Sequence, residues 1–335
     1  MRLDRHVKEV GIFTDYPIFE GKECIYTTIR ATDLFLAQYF NNEYNAVDIA
    51  VKYLAIENYY GKNNFGLELY RKLQLKRVGE DWNERFTNLI KSFESGIDMK
   101  SWIQVDLNYS IHDGAHRLAL TLYHGYIDVP VNIFNVEAQR RYYGFKWFIE
   151  NEFTENEIFL IREKLNELLE KCRKSYFCIL WPPARFQYRA IEENLEIVED
   201  GVHIIEHISI KFTREELKKF IYEVYETDDI LKHRLDLKYE HIMKSMDTDN
   251  YKDGYYTIYV IKVKINNPDF RLKPLSGFPQ SKTTMRIKKQ IRDMFKEKVN
   301  NYYYDIIMHL TDNQIQNDAV EEIISNINKS NINNN

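Results

Sequence analysis

Ile111-His112-Asp113-Gly114-Ala115-His116-Arg117 is the stretch on which the reading of this chain turns. Tyr109-Ser-Ile111 is apolar enough to end a strand, Asp113-Gly114 marks a tight bend, and a helix is predicted from Ala115 to about His124, closed by Gly125. Upstream, Asn83 is a plausible N-cap for a helix through Glu84–Phe93, with Phe86, Leu89, Ile90 and Phe93 on one face and Gly96 after its end. Trp102-Ile-Gln-Val-Asp106 alternates like a half-buried strand, and Leu107-Asn108 turns the chain into the next one. Val129-Pro-Val-Asn-Ile-Phe134 follows as a further strand. Helical stretches mixed with short strands predict an α+β fold.

A strand, a bend and a helix start make a natural place for an anion. The first turn of a helix offers unpaired amides, here those around Gly114 and Ala115, together with a partial positive charge. Gly114 lets the backbone come close to a ligand. Arg117 can fork two phosphate oxygens, and His116 can donate a hydrogen bond or carry charge. Asp113 can hold a magnesium ion or take a proton from an attacking hydroxyl. Spacing alone is equally satisfied if Asp113 caps the helix and Arg117 pairs with a surface carboxylate.

The run from Arg85–Phe93 through Gly96, Ile103-Gln-Val-Asp106, Ile111–Ala119 and Val129-Pro-Val131 resembles the ParB/sulfiredoxin superfamily over residues 70–135. Its Asp-Gly-x-His-Arg form is similar to the free serine kinases of that superfamily. The resemblance implies a nucleotide-binding domain over residues 1–150, with ATP or ADP phosphates held by Gly114, Ala115, His116 and Arg117. It also implies a catalytic or magnesium-holding Asp113, a catalytic contribution from His116, and a base just upstream. Glu80 or Asp81 would be that base, with Arg77 as a further phosphate contact. Ala115 stands where sulfiredoxins carry their reactive cysteine, which argues against sulfinic-acid reduction.

Thr154 and Glu157 form a capping box that opens a helix with Ile158, Ile161, Leu165, Leu168 and Leu169 in an apolar stripe. Residues 151–174 are therefore read as a connector. Beyond it, residues 175–325 read as a ferredoxin-like α+β sandwich. Strands are expected over Tyr176–Trp181, His203–Phe212, Tyr255–Val263 and Tyr303–Met308, and helices after Phe186, Thr213 and about Thr284. Tyr176–Trp181 with Pro182, Asn267-Pro268, Ile291-Arg292-Asp293 and Asp305–Asp312 resemble nucleoside diphosphate kinase. That likeness implies His309 as a phosphoryl acceptor tuned by Thr311 and Asp312, and Arg292 as a phosphate contact. Trp181 stands where that family's phosphate-binding lysine would be, so direct transfer at the first centre is the preferred expectation. The basic run Lys282–Lys298 reads as a solvated helix face or a phosphate-holding one. The Asn-rich residues 326–335 read as disordered.

The formal net charge of the 335-residue chain is −5, so no global positive field holds a nucleic-acid backbone or an anionic membrane. Cys24, Cys172 and Cys178 show no metal-ligand pairing and fit reduced thiols in a cytoplasmic protein. The expectation is an ATP-dependent, magnesium-using kinase acting on a hydroxyl of a small molecule such as a sugar, polyol or amino acid. The alternatives are a ParB-type nucleotide switch or nucleic-acid binder, and an adaptor with a vestigial site.

Overall fold

The computed structural model describes residues 9–13, 22–96, 102–136, 144–173, 175–228, 231, 233–246, 254–272 and 279–333. Two units result, Met1–Arg173 with Phe270–Pro279, and Lys174–Asp269 with Gln280–Asn335. Both mix helices and strands, so the fold class is α+β.

In the first unit the chain runs β1 (Glu9–Phe13), β2 (Lys22–Arg30), α1 (Ala31–Tyr59), α2 (Gly66–Val78), α3 (Asn83–Glu94), β3 (Ile103–Val105), β4 (Ile111–Asp113), α4 (Ala115–His124), β5 (Asp128–Phe134), α5 (Phe145–Glu150) and α6 (Glu155–Cys172). The sheet order is β1-β2-β5-β3-β4, with β3 and β5 parallel and the other neighbours antiparallel. The long helix α1 is largely buried among the residues whose burial is described, with Leu34, Phe35, Val47, Ile49, Ala50 and Ile56 in the core and Asp33, Gln38, Asn45, Asp48 and Lys52 buried beside them. A helix that buries polar and apolar residues alike shows little amphipathic period, which is why only its second half, from about Asp48, is legible in the sequence.

Buried polar side chains of α1 fix the strand that carries the bend. Gln38 donates to Tyr109 O and accepts from Ile111 N at 2.9 Å, while Asn45 donates to Ile111 O at 3.3 Å. Since β4 is the last strand of its sheet, these side chains supply partners its outer edge would otherwise lack. The Asp106 carboxylate accepts from Asn108 N and Ser110 N, which holds the preceding turn with Tyr109 at φ 58°.

Several boundaries differ from expectation for physical reasons. Asn83 is the first residue of α3 rather than its cap, because Asp81 accepts from Asn83 N. The strand expected over Tyr109–Ile111 begins only at Ile111, after the left-handed Tyr109. Helix α6 has its Thr154 capping box, but Ile161, Leu165, Leu168, Leu169 and Cys172 are buried in the first unit's core. It is thus an integral layer of that unit rather than a connector.

The second unit contains β6 (Ser175–Leu180), a 3-10 turn (Pro182–Gln187), α7 (Tyr188–Leu195), β7 (Val202–Phe212), α8 (Arg214–Tyr225), α9 (Leu235–Ser245) and β8 (Tyr256–Ile265). The short strands β9 (Phe270–Leu272), which belongs to the first unit, and β10 (Pro279–Ser281) come next in the chain, before α10 (Lys282–Phe295), β11 (Met308–Leu310) and α11 (Gln314–Asn333). The sheet is fully antiparallel in the order β11-β6-β8-β7. Two expectations fail here. Tyr303–Met308 is not a strand, because Tyr304 and Asp305 adopt φ of 50° and 54° and pairing starts only at Met308. The tail from residue 326, expected to be disordered, continues α11 to Asn333.

Gly114 is a joint of the first unit that combines a left-handed backbone with no room for a side chain. Its φ is 97°, and a Cβ there would stand 2.9 Å from Ile103 Cγ1 and 3.1 Å from Ile103 Cα. Gly114→Ala should therefore cost about 2–3 kcal/mol through strain and clash together. Urea unfolding followed by circular dichroism measures it, and a loss under about 0.5 kcal/mol, the level of a neutral surface change, would contradict the strained joint.

Candidate functional site

At the bend, Gly114 occupies the cap position of α4 with no side chain satisfying the first-turn amides. Those amides stay available to an anion. Asp113 is half-exposed and stands 3.6 Å from Arg117, whose Nη1 donates to Trp102 O at 3.0 Å. His116 turns the other way. Its Nε2 lies 2.8 Å from the Tyr70 hydroxyl and its ring packs on Phe86 at 4.7 Å. Desolvation by those rings, followed by the charge of Lys52, holds its pKa well below the usual value, so the imidazole is neutral near pH 7. Of the residues expected to hold phosphate, Gly114, Ala115 and Arg117 are placed at the helix start, whereas His116 spends one nitrogen in the interior.

The upstream candidates have structural partners. Arg77 donates to Asp48 at 3.1 Å and to Gln74 at 2.9 Å. Glu80 is exposed and accepts from Trp82 Nε1, while Asp81 accepts from Asn83 N and Arg71. The Asn83 amide and then Arg71 lower the Asp81 pKa, which makes it a weak base. Among the described residues no group of three or more His, Cys, Asp or Glu side chains is arranged to hold a metal. Asp113, one carboxylate facing Arg117, fits a magnesium ion poorly unless phosphate oxygens and water complete the shell. An open groove of about 500 Å³ between α1 and α6 is lined by Glu57, Glu163, Glu167 and Glu170 with Lys164, and its carboxylates disfavour phosphate.

The second unit holds a denser constellation. His309, on β11, is 4% exposed, and its Nε2 is buried without a hydrogen-bond partner. Tyr225 from α8 covers it edge-on at 4.7 Å, and Trp181 stacks on the far side of Tyr225 at 6.0 Å. Arg292, from α10, donates to Met308 O at 2.9 Å and pairs with Asp305 at 3.0 Å, leaving its buried Nε without an acceptor. Lys288, one turn earlier, pairs with Asp312, whose carboxylate also accepts from Thr284. Lys238 from α9 is 1% exposed and, among the described residues, makes no ion pair. Its Nζ donates to the carbonyls of Tyr304 and Asp305, the two left-handed residues before β11. Thr311 accepts from Phe177 N and Asp312 engages Lys288, so neither bonds to His309. Burial, and then Lys288, Lys238 and Arg292, press the His309 pKa well below 6.5. The result is a neutral imidazole facing three basic side chains, of which Lys288 and Arg292 are ion-paired. Sequence reading found His309 and Arg292 but missed Lys238, whose setting in Leu235-Asp-Leu-Lys-Tyr reads as an ordinary helix face.

No protein-family model matches this sequence, and no curated protein does. A solved structure of a nucleoside-diphosphate kinase from Borrelia burgdorferi, a transition-state mimic with bound vanadate and ADP, is similar at 13% identity. It covers 44% of this chain and 83% of its own, with a TM-score of 0.26. A likeness at that TM-score carries no weight for fold or chemistry.

The buried lysine has a measurable consequence. Burial, then Arg292, lowers the Lys238 pKa from 10.5 to about 7, against the opposing pull of Asp305 and Asp228. Between pH 7 and 10.5 the unfolded chain therefore binds more protons at this residue than the folded one. Stability gained from its deprotonation is complete above 10.5 and lost as pH falls through about 7. Lys238→Met should remove up to about 1.4 kcal/mol per pH unit of the rise between pH 7 and 9. Urea unfolding at several pH values tests this, and identical slopes for the two proteins would contradict it.

Proposed function

We propose that this protein is an ATP-dependent phosphotransferase whose phosphate is handled at the Lys238–Lys288–Arg292 cluster facing His309. The observation that carries this reading is the pair of buried donors or lone pairs, His309 Nε2 and Arg292 Nε, that among the described residues have no partner beside a buried lysine with no ion pair. Buried basic groups are costly even where Arg292 and Lys288 each have one carboxylate, in Asp305 and Asp312, and a phosphate group would supply further charge and acceptors. Phosphoryl transfer needs chiefly positioning and charge neutralisation, which such a cluster provides.

A neutral imidazole protonated on Nδ1 presents the Nε2 lone pair to the γ-phosphorus. The P–O bond to the departing ADP breaks as the P–N bond forms, and Lys288 and Arg292 stabilise the charge on the transferred oxygens. The oxygen of a small hydroxylated acceptor then attacks phosphorus, the P–N bond breaks as the new P–O bond forms, the hydroxyl proton passes to water, and the imidazole leaves neutral with its proton still on Nδ1. Tyr225 covers His309, so the donor reaches Nε2 only when that ring turns aside. A second reading, a nucleotide switch of the ParB type, is favoured by the uncapped first turn of α4 with Arg117 beside it.

Incubation with γ-labelled ATP should leave acid-labile, base-stable label on the wild-type protein and none on His309→Ala. Label that persists in His309→Ala, or its absence from wild type, would contradict the assignment. Thermal stabilisation by CTP but not ATP would favour the switch.

A further inference from the structure

The face of α1 that carries Gln38 and Asn45 goes on to bury two charges. Asp48 and Lys52, one turn apart, form an ion pair, and Asp48 also accepts from Arg77 of α2 at 3.1 Å. Gln74, a turn before Arg77, is fully buried and accepts from Arg77 Nη2 through Oε1. Tyr70, a turn earlier still, meets His116. Six polar side chains from α1, α2 and α4 thus form a seam inside an otherwise apolar core.

The seam is short of acceptors. Among the described residues Gln74 Nε2 is buried and has no hydrogen-bond partner, and the buried Lys52 ammonium is engaged by the Asp48 carboxylate, which it shares with Arg77. A buried amide NH2 left unpaired costs about 1–3 kcal/mol, and an ammonium with unspent protons costs more. Asp48 is shared between Lys52 and Arg77. Arg77 is only partly buried, at 14% side-chain exposure, so the seam reaches the surface along its guanidinium.

We infer that this seam is a second oxyanion site, in which Lys52 Nζ and Gln74 Nε2 donate to a phosphate or carboxylate group entering past Arg77. The site stands apart from the centre at His309 and does not depend on it. Burial lowers the Lys52 pKa to about 8, with Asp48 resisting the shift, so the ammonium is still the dominant form at neutral pH. Gln74 sets the geometry because its Oε1 is already held by Arg77, which aims the amide nitrogen.

Hydrogen exchange read peptide by peptide on the full chain separates this site from the other. Inorganic phosphate, against chloride at equal ionic strength, should slow exchange over α1 and α2 about tenfold at ten times its dissociation constant. Acetate in a parallel arm tells a carboxylate preference from a phosphate one, and protection by either supports the site. Gln74→Glu builds a carboxylate into the seam, so its α2 amides should exchange slowly without added anion and show no further slowing. Lys52→Met should abolish the protection by removing the donor. Exchange in wild type indifferent to both anions, as a buried water would give, overturns the inference. So does protection undiminished in both variants. Peptides around His309 report separately, so failure at one centre leaves the other readable.

Discussion

Burying a positive charge in a protein interior costs several kcal/mol unless a counter-charge and acceptors travel with it. Both units of this chain do so. Lys52 in the first faces one carboxylate shared with Arg77, and Lys238 in the second donates to backbone carbonyls, with Asp305 and Asp228 opposing its desolvation. Much of the local architecture follows from accommodating them. The polar seam of α1, α2 and α4 surrounds the first, and the left-handed turn at Tyr304–Asp305 wraps the second. Such a turn, with two non-glycine residues at positive φ, is itself strained by about 1–3 kcal/mol per residue. Lys238 and Arg292 hold it from two sides, and it delivers the chain to Met308–Leu310 with His309 pointing into the cluster.

The places read for phosphate at α4 and around His309 differ in kind. At α4 the attraction comes from backbone amides and one arginine at the surface, a modest and screened arrangement. Around His309 the charges are largely withdrawn from water, so each interaction is stronger and each missing partner more expensive. That contrast is why the phosphotransferase reading rests on the second unit. The motif that dominates the sequence sends its histidine to Tyr70 and Phe86 rather than to the helix start.

Local chemistry was the legible part of the sequence. The capping box at Thr154 forms with reciprocal hydrogen bonds, the helix expected after Thr213 starts at Arg214, and Gly125 closes α4 in a left-handed conformation. Long-range chemistry was not. Gln38, Asn45, Asp48 and Lys52 look unremarkable in a helix whose neighbours are apolar, and only the packing of β4, α2 and α4 against them gives them roles. The strand expected at Tyr303–Met308 failed because nothing in Tyr-Tyr-Asp announces positive φ. Asp305 does tolerate that region, but Tyr304 is held there by the Lys238 bond to its carbonyl. Lys288 and Lys289 are adjacent in a basic run, yet one is tucked against Asp312 and the other faces solvent.

The central claim is that His309 is a neutral ring kept open for a phosphate group. Nitrogen NMR of the ¹⁵N-histidine-labelled protein, with His309 assigned from the spectrum of His309→Asn, tests it most directly. The account predicts a ring that stays neutral well below pH 6.5 in the absence of ligand, and an Nε2 resonance that moves on addition of inorganic phosphate. A ring that titrates near 6.5 like a solvated histidine, or one whose nitrogen ignores phosphate, would contradict it.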